Sequence, residues 1–238
     1  GSGLTFGTVD VAGTCTINAG AGSITLGGAI GGTTPPTTLS ITTGAALDLP
    51  AVSVSGNFTL SVTNTVTQSG VISAAGLELL GAGGTYTLNT QDNAITTLAG
   101  NTGTVSFQDN TGFAIGTVNT AGLTASVSVT LSTTGTVTQS AGITTPALTL
   151  EGAAGVYTLG TAVNNAVTTL DANNSVLGTL FFRDDTGFEI TGITAGANNV
   201  TLSSAGGTVT QSGVISAAGL ELLGAGGTYT LNTQNNAI

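Results

Sequence analysis

Short runs of alternating apolar and polar residues fill most of this chain. Thr85-Tyr86-Thr87-Leu88-Asn89, Val105-Ser106-Phe107 and Val127-Ser128-Val129-Thr130-Leu131 are examples. A period of two, with β-branched residues, is the pattern of a half-buried strand. Val, Leu, Tyr and Phe are expected to point inward, and Thr, Ser and Asn outward. The runs are about three to six residues long, at the short end for strands. Glycine-rich corners such as Gly81–Gly84 separate them. No charged stretch with helical spacing interrupts the alternation, so the pattern predicts an all-β chain.

The alternation is organised by repetition. Thr65–Ile95 returns at Thr208–Ile238 with one change, Asp92 becoming Asn235. A looser copy occupies Thr136–Val167. Val66, Val137 and Val209 recur with a 71–72-residue period, and Gln68, Gln139 and Gln211 keep the same step. So do Tyr86, Tyr157 and Tyr229. In a closed globule each copy would be moulded by different neighbours. Copies that stay interchangeable need identical surroundings, which a linear stack provides.

Each repeat holds three recurrent strand blocks, beginning near Val129, Leu148 and Leu180, and the first recurs near Val200. Blocks averaging about 24 residues match one turn of a right-handed parallel β-helix. The expected architecture is therefore a β-solenoid of about ten turns, three per repeat, roughly 48 Å long at the usual inter-strand spacing. Residues 1–56 read as divergent turns in phase with the repeats, and 57–238 as the regular array. Phe6–Gly13, for instance, matches the wording of Ile115–Gly122. The chain enters part-way through a unit and stops in mid-repeat, as expected of a window cut from a longer, processed protein. Pro146 replaces Ala75 of the preceding repeat, which predicts a corner rather than a strand centre. Asp171–Gly178 is longer than its counterpart Ala99–Gly103, which predicts a rim loop that absorbs the insertion.

Composition narrows the function classes. The chain has 238 residues, 38 glycines, eleven acids, one basic residue (Arg183), and no His, Met or Trp. With 40% apolar residues it is too hydrophobic for disorder. The mean hydropathy is positive, at +0.43. Even so, no run approaches the roughly 18–20 apolar residues of a spanning helix, and ten aromatics are few for the girdles of a membrane barrel. A net charge of −10 opposes binding to nucleic acid or anionic lipid. The expected partners exclude nucleic acid and membrane insertion. Cys15, the only cysteine, can form no internal disulfide and reads as a small apolar residue.

Candidate chemistry is sparse. Without His there is no Ser-His-Asp triad and no imidazole ligand. The one cluster resembling an acid–base site is Arg183-Asp184-Asp185, with Glu189 nearby. Its counterpart, Gln108-Asp109-Asn110, lacks the base and one acid. Aspartates before Thr-Gly are expected to cap turns, and the ligand count is low for calcium. Thr65/Thr67, Thr136/Thr138 and Thr208/Thr210 read as outward threonines favoured by β propensity rather than an ice-binding array. Glu78 and Glu221 lie between leucines and are expected to face water. Tyr86, Tyr157 and Tyr229 are expected in the core. No catalytic, cofactor-binding or metal-binding residue is assigned, no cofactor is expected, and the chain reads as a non-enzyme.

The strings TVTQSGVISAAGLELLGAGGTYTL and DNTGFAIGTVNTAGLTA resemble the long repeats of filamentous-haemagglutinin-like exoproteins, including related autotransporter passengers. The likeness covers Asn57–Ile238 and, loosely, the opening. The family's secretion domain and its NPNG-type motifs lie outside this sequence. The resemblance implies a β-helical shaft of a secreted adhesin on a bacterial surface, with glycan-binding regions elsewhere. The expected partners are neighbouring turns or further copies stacked end to end through open strand edges. A filament subunit that polymerises is the alternative within the structural class. A carbohydrate-binding or carbohydrate-cleaving β-helix is the alternative from another class.

Overall fold

The computed structural model describes residues 3–160 and 164–238; the middle repeat copy, Thr136–Val167, crosses the three residues left out. Every element named in it is a strand, 24 in all among the described residues. The strand pairings are parallel throughout. Strands stack as a β-solenoid of about eleven turns. The alternation read from the sequence holds: in Asn57–Val62 the residues Phe58, Leu60 and Val62 are wholly buried while Asn57, Thr59 and Ser61 turn outward.

Each turn has three faces, and each face contributes an inward ladder to one continuous core. One ladder runs Leu39, Phe58, Leu77, Leu98. A second runs Leu47, Val66, Tyr86, Val105, Val129, Leu148, Leu170. The third runs Phe113, Val137, Tyr157, Leu180, Val200, Leu220. Main-chain hydrogen bonds satisfy the backbone from turn to turn, while apolar burial along these ladders supplies the driving force.

These registers refine the relation between repeat and turn. One turn takes the chain from Phe58 to Leu77, from Val66 to Tyr86, and from Val105 to Val129. Most turns are therefore shorter than the block length of about 24 residues expected from the repeat, and their length varies. From Val66, three turns lead to Val129, and its repeat partner Val137 lies one strand further on, in the third ladder. Phe58, Val129 and Val200 likewise fall on the first, second and third ladders, as do Leu77, Leu148 and Leu220. Each repeat thus completes three turns and one strand more. A given stretch of sequence is presented on each face in succession, so the three walls are built from the same words.

Corners absorb the irregularities. Pro146 is exposed and, contrary to the expected corner, lies within the strand Ile143–Glu151, opposite the register shift between Thr124 and Ser128. The longer Asp171–Gly178 segment begins in the last residues of the strand Ala166–Ala172, and the ladders resume beyond it at Leu180. Cys15 is half-buried above Leu39 and packs against the core. The matching words Phe6–Gly13 and Ile115–Gly122 take different paths: Val9 bridges in parallel to Ile30, whereas Thr117 and Ala121 close a small antiparallel loop.

Candidate functional site

The chemistry-bearing side chains cluster at the corners, and most of them serve the backbone. Gln68 donates to the Asn93 side chain at 2.9 Å, and Asn93 donates back at 3.1 Å. The Asn93 oxygen also accepts from the amide of Ile72, and its nitrogen donates to the carbonyls of Leu88 and Gln108. Gln139 with Asn165 and Gln211 with Asn236 repeat the arrangement. Two side-chain amides therefore satisfy main-chain groups from three successive levels of the stack, where an unpaired group would be costly. The sequence carried a signal for this pair. Asn93, Asn165 and Asn236 each follow their glutamine at nearly the same separation.

Tyr86 and Tyr157 are buried and Tyr229 is half-buried, each with the hydroxyl as a clamp. Tyr157 donates to the carbonyls of Leu131 at 2.8 Å and Glu151 at 2.5 Å. Tyr86 reaches the carbonyls of Leu60 and Leu80 and accepts from the amide of Val62. Burial pushes both phenols far above their ordinary pKa.

The two aspartate corners are equally internal. Asp109 is fully buried and accepts from the Thr111 amide at 2.9 Å, the Thr111 hydroxyl at 2.7 Å and the Ile95 amide at 2.8 Å. Asp184 makes the same contacts with Thr186 and the Val167 amide. Each corner is bracketed by an edge-to-face aromatic pair, Phe107–Phe113 at 5.1 Å and Phe182–Phe188 at 5.0 Å. The expected turn cap is present, and it also ties the corner to the preceding turn. These carboxylates are committed to backbone amides and threonine hydroxyls.

Arg183 turns away from Asp184 and pairs with Asp185 at 2.5 Å on the surface. The guanidinium holds the Asp185 carboxyl below the usual carboxylate range, and Asp185 also accepts from the Ala205 amide. Glu189 stands in register between Thr169 and Thr210 on an outer wall. The structure does not assemble these four residues into a pocket. Among the described residues no three His, Cys, Asp or Glu stand close enough to hold a metal ion. No helix in it is long and apolar enough to cross a membrane.

Glu78 departs from expectation. Only 1% of it is exposed, whereas Glu221, its repeat partner, faces water as anticipated. A loop, Gly116–Gly122, leaves the wall between Ile115 and Leu123 and folds back over it. Glu78 accepts from the Asn119 side-chain amide at 2.8 Å, from the Thr120 main-chain amide at 2.7 Å and from the Thr59 hydroxyl at 3.0 Å. Desolvation alone would raise the Glu78 pKa, but the bonds from Asn119, Thr120 and Thr59 outweigh it and hold the carboxyl below its ordinary value.

What remains outside is a set of polar, almost uncharged walls. The row Thr65, Thr85, Thr104, Ser128 and its neighbour row Ser106, Thr130, Thr149 run along one face. The structure puts threonines from different motifs in line here, all of them outward as expected.

Comparison with curated proteins and with solved structures finds no match. Residues 37–102 and 173–238 match the repeats of unknown function DUF5649. Each match contains one copy of the near-identical 31-residue segment, and together they cover more than half of the chain. The chain belongs to the DUF5649 repeat family.

Proposed function

We propose that this β-solenoid is a segment of a structural shaft or fibre in a large secreted bacterial surface protein, without catalytic activity of its own. The observation that carries the reading is the three-turns-plus-one-strand phase of the repeat. It puts the same residues on every face, so units can be added without creating a privileged side. An enzyme or a sugar-cleaving groove needs the opposite, one face set apart by clustered acids. A shaft needs continuity, and here each turn bonds to the next while the polar corner residues are spent on holding the stack.

About eleven turns at the ~4.8 Å inter-strand spacing correspond to a rod on the order of 50 Å. The test is electron microscopy with diffraction on the native protein at the cell surface. Straight rods with a ~4.8 Å axial reflection are expected. Compact particles without that reflection would contradict the shaft.

A further inference from the structure

The buried Glu78 site has an open duplicate. Its four outward residues are Asn57, Thr59, Gly76 and Glu78, on two adjacent turns in register. The same four types recur as Asn199, Thr201, Gly219 and Glu221, again in register. The internal geometry matches too. Thr59 donates to Glu78 at 3.0 Å and Thr201 to Glu221 at 3.2 Å. A methyl group built on Gly76 would meet Asn57 Oδ1 at 2.6 Å, and one on Gly219 would meet Asn199 Oδ1 at 2.9 Å.

The difference is the occupant. At the first site Val118 packs over Gly76, within about 3.0 Å of where a Cβ would stand, and Asn119 and Thr120 bind Glu78. At the second, Asn199, Val200, Thr201, Gly219, Leu220 and Glu221 line an open groove of about 300 Å³. Nothing but Asn199 lies within 4 Å of a Cβ on Gly219.

The middle repeat acts as an internal control. There the four positions are Ser128, Thr130, Ala147 and Thr149, so the asparagine, the glycine and the glutamate have all changed. The loop has gone with them. Where Gly116–Gly122 leaves the wall, the middle repeat runs on as the strand Glu189–Thr194 with a one-residue register shift. Between these two repeats glycine, asparagine and glutamate stand with the loop and are absent without it. An alanine at the glycine position would put its methyl in the space Val118 takes.

We propose that the Asn199/Thr201/Gly219/Glu221 groove is a docking site for a Val-Asn-Thr loop supplied by a further repeat of this kind. The valine would seat over Gly219, the asparagine amide would donate to the Glu221 carboxylate, and the next main-chain amide would donate to its other oxygen. Charge-assisted hydrogen bonds of this sort are strong and geometrically selective. A second copy of the present chain is a poor donor, because its own Gly116–Gly122 loop is held on its own Glu78.

The probe is a cyclised peptide carrying Gly-Thr-Val-Asn-Thr-Ala-Gly, titrated into the protein and followed by amide chemical shifts. Saturable shifts at Gly219 and Glu221 are expected. Binding should weaken at least about tenfold in Glu221→Thr and in Gly219→Ala, given the strength of hydrogen bonds to charged groups. Both variants take the residue of the middle repeat, and the one side chain a Gly219 methyl would meet, Asn199, is exposed and free to turn aside, so folding is retained. An Asn→Asp peptide should also fail, since it brings a like charge to Glu221. Absence of binding at millimolar peptide, or equal binding to wild type and Glu221→Thr, would overturn the proposal.

Discussion

The flat faces and the corners of this solenoid obey different rules. On the faces, one repeat position holds Phe58, Val129 and Val200, and another holds Ile95 and Val167, all of them buried. Different apolar side chains that fill the turn are admitted at these positions, although others, such as Leu77, Leu148 and Leu220, keep one identity. At the corners the hydrogen-bonding identities hold: Gln68, Gln139 and Gln211, and Asn93, Asn165 and Asn236. Tyr86, Tyr157 and Tyr229 stand in the face ladders and hold as well, because their hydroxyls clamp the backbone. Hydrophobic burial is non-directional, whereas a backbone group turned out of its ladder needs a donor or acceptor at one place. The faces supply stability, and the corners define the register at which one turn follows another.

The largest expected break is at a corner glycine. Gly81, Gly152 and Gly224 all have positive φ, at 117°, 108° and 107°. A Cβ on Gly152 would lie 1.8 Å from the Thr133 carbonyl oxygen. Gly152→Val should therefore cost more than about 4 kcal/mol, in the range reserved for steric failure. Hydrogen exchange should locate the opening in the turns on either side. Asn93→Leu comes next. It strips partners from the Ile72 amide and the Leu88 and Gln108 carbonyls. A loss of about 3 kcal/mol in urea unfolding is expected, from the penalty for unsatisfied buried groups. The face control Leu148→Val should cost only about 1 kcal/mol.

A pH effect of intermediate size belongs to the loop. The Glu78 carboxyl is held below its ordinary value of 4.5, so its contribution is complete above that pH. It is lost as the pH falls through 4.5 and then through the lower folded-state value. Thermal unfolding of wild type should weaken between neutral pH and pH 3 more than that of Glu78→Gln. The smallest effect has the opposite sign. Ala154 stands at φ 62°, the one described non-glycine residue at positive φ, where the other copies have Gly83 and Gly226. Ala154→Gly should raise the stability read from urea unfolding by about 0.5 kcal/mol, after the entropy of the more flexible unfolded chain is set against relief of the left-handed strain.

Much of this was legible in the residues. Alternation gave the strands and their inward faces, the outward threonines and the inward tyrosines. Comparison of the repeats located the longer Asp171–Gly178 segment, whereas Pro146 lies within a strand and not at the corner expected. The finer phase of the repeat was not, because a 71–72-residue period divides as naturally into three longer turns as into three shorter ones and a strand. Only the cross-strand register separates the two. Glu78 was placed in water because LEL alternates cleanly. What covers it is Gly116–Gly122, far downstream in the chain, and no local pattern reports a contact at that distance. The joint change of Asn57, Gly76 and Glu78 to Ser128, Ala147 and Thr149 was the available clue. The Gln–Asn corner pairs were written in their regular spacing, but that spacing acquires meaning only once a turn is known to be shorter than it.

Disulfide trapping in a Cys15→Ser background tests the phase of the stack most directly. Thr65 lies beside Thr85, and Thr130 beside Thr149, on neighbouring turns. Adjacent strands bring Cα atoms within disulfide reach. The pairs T65C/T85C and T130C/T149C should oxidise rapidly, while T65C/N89C and T130C/A154C, spaced for a turn of about 24 residues, should remain reduced. The reverse outcome would contradict a repeat of three turns plus one strand, and with it the equivalence of the three walls.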